Sequence, residues 1–231
     1  LYNNTIDSND YSGIVITESS KNTIVQNIIK GNGKYGIHIA NDATKSANNT
    51  IKDNTINDNS NVAILNNGIF TTIFNNTIKY NEDVGIKITD EGARSTIDSN
   101  NLVDNEGQSI QIQASNVVIK LNTIDADSSS IAVVILDSNS VSIENNTIEG
   151  GLQGIKVQNS TNAFIYKNTV KSNSGYGIYL LMNSTSGEVK NNNLSDNEDN
   201  AIVISASNST EIFNNTIKEN AGYGFVAINS K

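Results

Sequence analysis

The sequence predicts an all-β fold: a parallel β-helix, or solenoid, of about ten turns with three short strands in each. Three observations carry this. There is a repeat of about 23 residues, each repeat holds three alternating apolar segments, and 41 Asn with 33 Ile fill almost a third of the 231 positions. A low aromatic content of 6% could point to disorder. So many Ile require burial, however, and their β-branched side chains favour strands.

The first part of the repeat reads I-x-x-N-x-[I/L/V]. It is clear at Ile24–Ile29, Ile51–Ile56 and Ile73–Ile78 and continues to Ile212–Ile217. Its Asn residues are Asn4, Asn27, Asn54, Asn76, Asn100, Asn122, Asn146, Asn168, Asn192 and Asn215, separated by steps of 22 to 27. The two apolar residues lie on either side of a sharp corner. At that corner one residue must adopt the left-handed conformation, which Asn tolerates better than other non-glycine residues. Stacked once per turn, the Asn side chains are expected to hydrogen-bond to one another as a ladder.

The second part follows 8 to 10 residues later: a tiny residue, then alternating aliphatics. Examples are Gly36-Ile-His-Ile39, Gly85-Ile-Lys-Ile88 and Gly154-Ile-Lys-Val157. Alternation indicates a strand rather than a helix, and no period of 3.6 appears. A polar turn rich in Ser and Asn completes the unit. Three strands in about 23 residues correspond to one coil of a β-helix, with successive coils stacked about 4.8 Å apart. The chain has no Pro, which suits a structure in which nearly every backbone N–H is used. The one irregular step, from Asn27 to Asn54, places extra residues in Ile39–Asn49, expected to bulge from a turn.

Composition excludes several functions. With no Cys there is no disulfide framework, thiol nucleophile or iron–sulfur cluster. A net charge of −9 with a single Arg disfavours nucleic acid. No apolar run of 18 residues could span a bilayer. Residues 1–231 read as a single domain. The chain starts at Leu1 without a signal peptide and neither end carries a polar cap, so a segment of a longer chain, or end-to-end or lateral contact between copies, is expected.

The units G-I-x-I-x-x-S-x-N-x-x-I-x-x-N-T-I resemble the right-handed parallel β-helix repeat family along essentially the whole chain. That family includes NosD-like periplasmic proteins, pectate-lyase-like carbohydrate-active proteins and adhesin-like surface proteins of methanogenic archaea. The Asn- and Ile-rich style is most similar to the last group. The resemblance implies a right-handed, single-stranded coil and an extracellular or cell-surface setting. It also implies that sugars would lie along the Gly-Ile-x-Ile sheet. The catalytic motifs of pectinases and pectate lyases are absent, as is the Asp-Pro-His pattern of alginate epimerases.

The outward residues of that sheet are read as Val15, His38, Leu65, Lys87, Gln111, Val134, Lys156, Tyr179, Val203 and Val226. None is an acid, whereas glycoside hydrolysis uses two carboxylates. His38 is the only imidazole and Arg94 the only guanidinium. The loops supply the acids instead. Glu82, Asp83, Asp104, Glu106, Asp125 and Asp127 fall on three consecutive turns. Asp83, Asp104, Glu106, Asp125 and Asp127 are the candidate catalytic acids of a carbohydrate-active enzyme, and Glu82, Asp104, Glu106, Asp125 and Asp127 could offer oxygens to Ca²⁺, the one cofactor suggested. Candidate binding residues are Phe74, Tyr166, Tyr179 and Phe213, whose rings could meet glycans or a protein partner. Sequons at Asn159, Asn183 and Asn208 sit in polar turns and are candidate glycosylation sites. The leading expectation is a non-enzymatic, adhesin-like surface module, with a carbohydrate-active β-helix as the alternative.

Overall fold

A computed structural model describes residues 1–40 and 46–230, and the expected bulge falls partly outside these residues, at 41–45. Among the described residues the chain forms 29 strands, most of them three residues long, and one short 3₁₀ turn at Asp90–Gly92. The strands form three parallel sheets that run the length of a rod. Sheet 1 has ten strands, from Thr5–Asp7 to Thr216–Lys218. Sheet 2 also has ten, from Ile14–Ile16 to Phe225–Ile228, and sheet 3 has nine, from Thr23–Val25 to Glu211–Phe213. Each strand pairs with its equivalents one turn before and after, so the chain coils once per three strands.

The register explains the repeat. Ile24, Ile51, Ile73 and Ile97 align along sheet 3, and Ile29, Ile56, Ile78 and Leu102 along sheet 1. All of these side chains are buried and form columns inside the coil. Between the two columns lies the corner. The ladder Asn points inward there, and from Asn27 to Asn192 the ladder is almost completely buried.

Each ladder side chain serves the turn below it. Asn122 Oδ1 accepts the backbone N–H of Asn100 at 2.8 Å and its side-chain amide at 3.0 Å. The Asn122 amide in turn donates to the carbonyls of Ile97 and Lys120 and to Asn146 Oδ1. This pattern runs unbroken from Asn4 to Asn215.

The backbone corrects one expectation. The left-handed residue is the one before each ladder Asn: Gln26, Asp53, Asn75, Ser99, Leu121, Asn145, Lys167, Asn191 and Asn214 all have φ between 51° and 57°. The ladder position therefore requires Asn for its side-chain amide, while the left-handed position accepts Leu or Lys at a steric cost.

Two further stacks were not foreseen from the repeat. At the corner from sheet 1 to sheet 2, Asn9, Asn32, Asn59, Asn81 and Asn105 form a second ladder. It is interrupted for two turns and resumes at Asn173, Asn197 and Asn220. In the turn before Asn173 the ladder position falls on Gly151, which has no side chain to donate, and Gly150 before it takes the left-handed φ of 84°. Asn173 Oδ1, which would receive that donor, is buried without a partner. After sheet 2, Ser138, Ser160, Ser184, Ser207 and Ser230 form a serine stack, in which each hydroxyl oxygen from Ser160 onward accepts the backbone N–H of the preceding turn's serine.

The two roles at the corner separate by mutation. Asn122→Ala leaves buried donors of Asn100 unpaired and is expected to lower stability by about 1–3 kcal/mol. Leu121→Asn relieves a left-handed leucine and is expected to raise it by up to about 1 kcal/mol. Chemical denaturation of both variants measures this; a stable Asn122→Ala protein would contradict the ladder's role.

Candidate glycan-binding face

Sheet 3 turns its first and third strand positions outward. Its third positions run Val25, Lys52, Phe74, Asp98, Lys120, Glu144, Tyr166, Lys190 and Phe213 in register. The first positions begin as Thr23, Thr50, Thr72 and Thr96 and pass through Ser142 to Phe164. The two halves of this face consequently differ: the first is polar around Phe74, and the second gathers the aromatics.

In the second half the Lys190 ammonium lies 5.6 Å from the Tyr166 ring and 5.5 Å from the Phe213 ring. Glu188, on the same strand, ion-pairs with it. Lys167 covers Tyr166 from the corner at 4.8 Å. Rings on alternate turns are thus joined through the lysine between them. Phe164 stands beside Tyr166 on the same strand. Ser142, Glu144, Phe164, Tyr166, Lys190, Asn191 and Phe213 line a shallow groove of about 440 Å³. Phe164 and Phe213 are 39% and 40% exposed, so their faces are open to a ligand.

The structure brings Tyr166 and Phe213 together and separates the other two aromatic candidates. Phe74 lies four strands from Tyr166 in the same column, and Tyr179 lies on sheet 2, edge-on to Tyr176 at 5.2 Å. Phe164 was missed because it falls at the strand's first position, where most turns carry Thr or Ser.

Sheet 2 keeps its expected outward row in register, and within that row Val134 and Val203 are buried. His38 packs edge-on to Tyr35 at 5.0 Å, and its Nε2 is buried without a partner. Burial and the nearby Lys34 charge lower its pKa. Arg94 lies 5.5 Å over the Phe70 ring.

The candidate acids fall in separate places. Asp127 is held by Ser129, which lowers its pKa. Glu82 and Glu106 follow the second ladder on successive turns, and Asp83 abuts Gly107. Asp104 and Asp125 do approach each other, joined by Glu149, which the sequence reading left out. Desolvation, then the Asp104 and Glu149 charges, raise the Asp125 pKa. Among the described residues no three His, Asp or Glu side chains gather as a metal site. The sequon residues Asn159, Asn183 and Asn208 are exposed, and the Asn159 amide donates to Asp137 at 2.6 Å.

A three-sheet parallel coil with inward Asn and Ile columns defines a β-solenoid repeat protein. This chain belongs to the right-handed β-helix region family, whose model matches residues 1–78, 65–151 and 126–231. No match is found among curated proteins. Solved structures with the same fold include the A-module of mannuronan C-5 epimerase AlgE6 from Azotobacter vinelandii, at 16% identity and a TM-score of 0.70. That match covers 90% of this chain and 63% of the module. The periplasmic alginate epimerase AlgG matches at 16% identity and a TM-score of 0.68, over 90% of this chain and 50% of its own. The enzymatically active domain of tailspike protein 2 from bacteriophage CBA120 matches at 12% identity and a TM-score of 0.75, over 98% and 42%. The chain thus spans about half the length of these proteins. No helix among the described residues is long and apolar enough to cross a membrane.

Because the folded-state pKa of Asp125 is raised, its charge opposes folding at neutral pH, and the penalty fades as pH falls through the carboxylate range. Asp125→Asn is therefore expected to raise Tm at pH 7 by about 1 °C, an exposed-site magnitude. The gain should vanish near pH 3, where the carboxyl is protonated in both states. Melting curves across pH measure both.

Proposed function

We propose that this chain is a non-enzymatic, adhesin-like β-helical module that binds glycans on sheet 3 and belongs to a cell-surface or secreted protein. The observation that carries the proposal is the Tyr166–Lys190–Phe213 stack with Phe164 beside it. Aromatic faces cover the C–H face of a sugar, while polar side chains at the rim meet its hydroxyls. A rigid solenoid holds these groups at fixed spacing, so little conformational entropy is lost on binding. The mannuronan and alginate epimerase structures support the use of this coil near polysaccharides. The exposed sequons at Asn159, Asn183 and Asn208 fit a glycosylated surface protein.

A second reading rests on Asp104, Asp125 and Glu149. A carboxyl with a raised pKa beside a second carboxyl is the pairing that acid-assisted glycoside cleavage uses. It would make the chain a carbohydrate-active enzyme with its acids at the end of the sheet 1 strands and the corner that follows.

A glycan array separates these readings when paired with a reducing-sugar assay on the bound glycans. The binding module predicts retention without product, and at least a tenfold loss of retention in Tyr166→Ala and Phe213→Ala, about 1.4 kcal/mol each. Product formation that disappears in Asp104→Asn and Asp125→Asn would establish the enzyme instead.

A further inference from the structure

The chemistry of the sheet 3 groove selects among polysaccharides, and this inference rests on the glycan-binding reading above. We propose that the groove takes an uncharged polysaccharide rather than a polyuronate. A uronate chain carries a carboxylate on every sugar and calls for cations or a guanidinium fork along its path. The groove does not offer them. Lys190 is already neutralised by Glu188 and enclosed between two rings. Lys120, one strand beyond the groove, pairs with Asp98 at 3.5 Å. The single Arg of the chain lies elsewhere, over Phe70. Lys167 is the one cation at the margin without a carboxylate partner among the described residues, and Glu144 in the groove opposes it. The chain as a whole carries −9, which repels a polyanion at low ionic strength.

What the groove does offer suits hydroxyls. Among the described residues, the Ser142 hydroxyl, the Glu144 carboxylate and the Asn191 carboxamide make no hydrogen bond within the protein. They stand beside Phe164, Tyr166 and Phe213. Free donors and acceptors next to open rings provide both halves of neutral-sugar recognition: a stacked apolar face and hydrogen bonds to equatorial oxygens. Glu144 accepts from a hydroxyl without change of charge, whereas it would repel a uronate at the same place.

Affinity electrophoresis through gels containing laminarin, mannan or dextran, and in parallel alginate or polygalacturonate, tests this at low ionic strength. Wild type, Tyr166→Ala and Glu144→Gln are compared, each checked for folding by its melting curve. Retardation is expected in at least one neutral gel and in neither polyuronate gel. It should fall about tenfold or more in Tyr166→Ala. Stronger retardation by a polyuronate than by any neutral polymer, growing further in Glu144→Gln, would overturn the proposed class and leave glycan binding standing. Retardation by no polymer of either kind would overturn the glycan-binding reading itself.

Discussion

The structure depends on one repeated interaction: an Asn side-chain oxygen that accepts both the backbone N–H and the side-chain amide of the Asn one turn below. A coil with three sheets must turn sharply three times per repeat, and each turn leaves backbone groups without strand partners. In a buried corner such groups are costly. The ladder from Asn4 to Asn215 satisfies them at the sheet 3 to sheet 1 corner in every turn. It also fixes the register, because a slipped coil would break all its bonds together. The Ile columns then stack at the same spacing and supply the apolar burial that holds the rod together.

The other two corners follow the same principle with less uniformity. The second ladder breaks for two turns and leaves Asn173 Oδ1 unpartnered. In the same two turns the sheet 2 strands lengthen to six residues, Ile131–Leu136 and Gln153–Gln158. Longer pairing here accompanies the loss of corner bonds. The serine stack begins at Ser138, on the turn where these long strands start.

Function is placed by what the ladders do not use. Inward positions are committed to Ile, Asn and Ser, so chemistry is confined to outward strand positions and corners. On sheet 3 the outward positions change character along the rod, from Thr and ion pairs to Phe164, Tyr166, Lys190 and Phe213. The fold supplies a straight, rigid array, and the local sequence determines which part of it is aromatic. Outside that groove, much of the surface is occupied by cross-strand ion pairs such as Asp7 with Lys30 and Glu149 with Lys171, of modest energetic weight.

The sequence by itself determined the coil. The I-x-x-N-x-I repeat encodes two core columns and the ladder between them, and it is legible because each of its residues meets its own copy one turn away. It did not show which corner residue is left-handed. Leu121 and Lys167 fill that position as readily as Asn145, so backbone strain leaves no residue signature. Nor did it reveal the second ladder, whose Asn residues are absent from two turns. The tertiary structure alone decided which outward side chains become neighbours. Tyr166 and Phe213 are 47 residues apart in sequence, yet they meet through Lys190 because successive coils bring equivalent positions into one column. Asp125 and Glu149 align in the same way, with Asp104 one residue beyond their column, while Phe74 and Tyr179 remain apart.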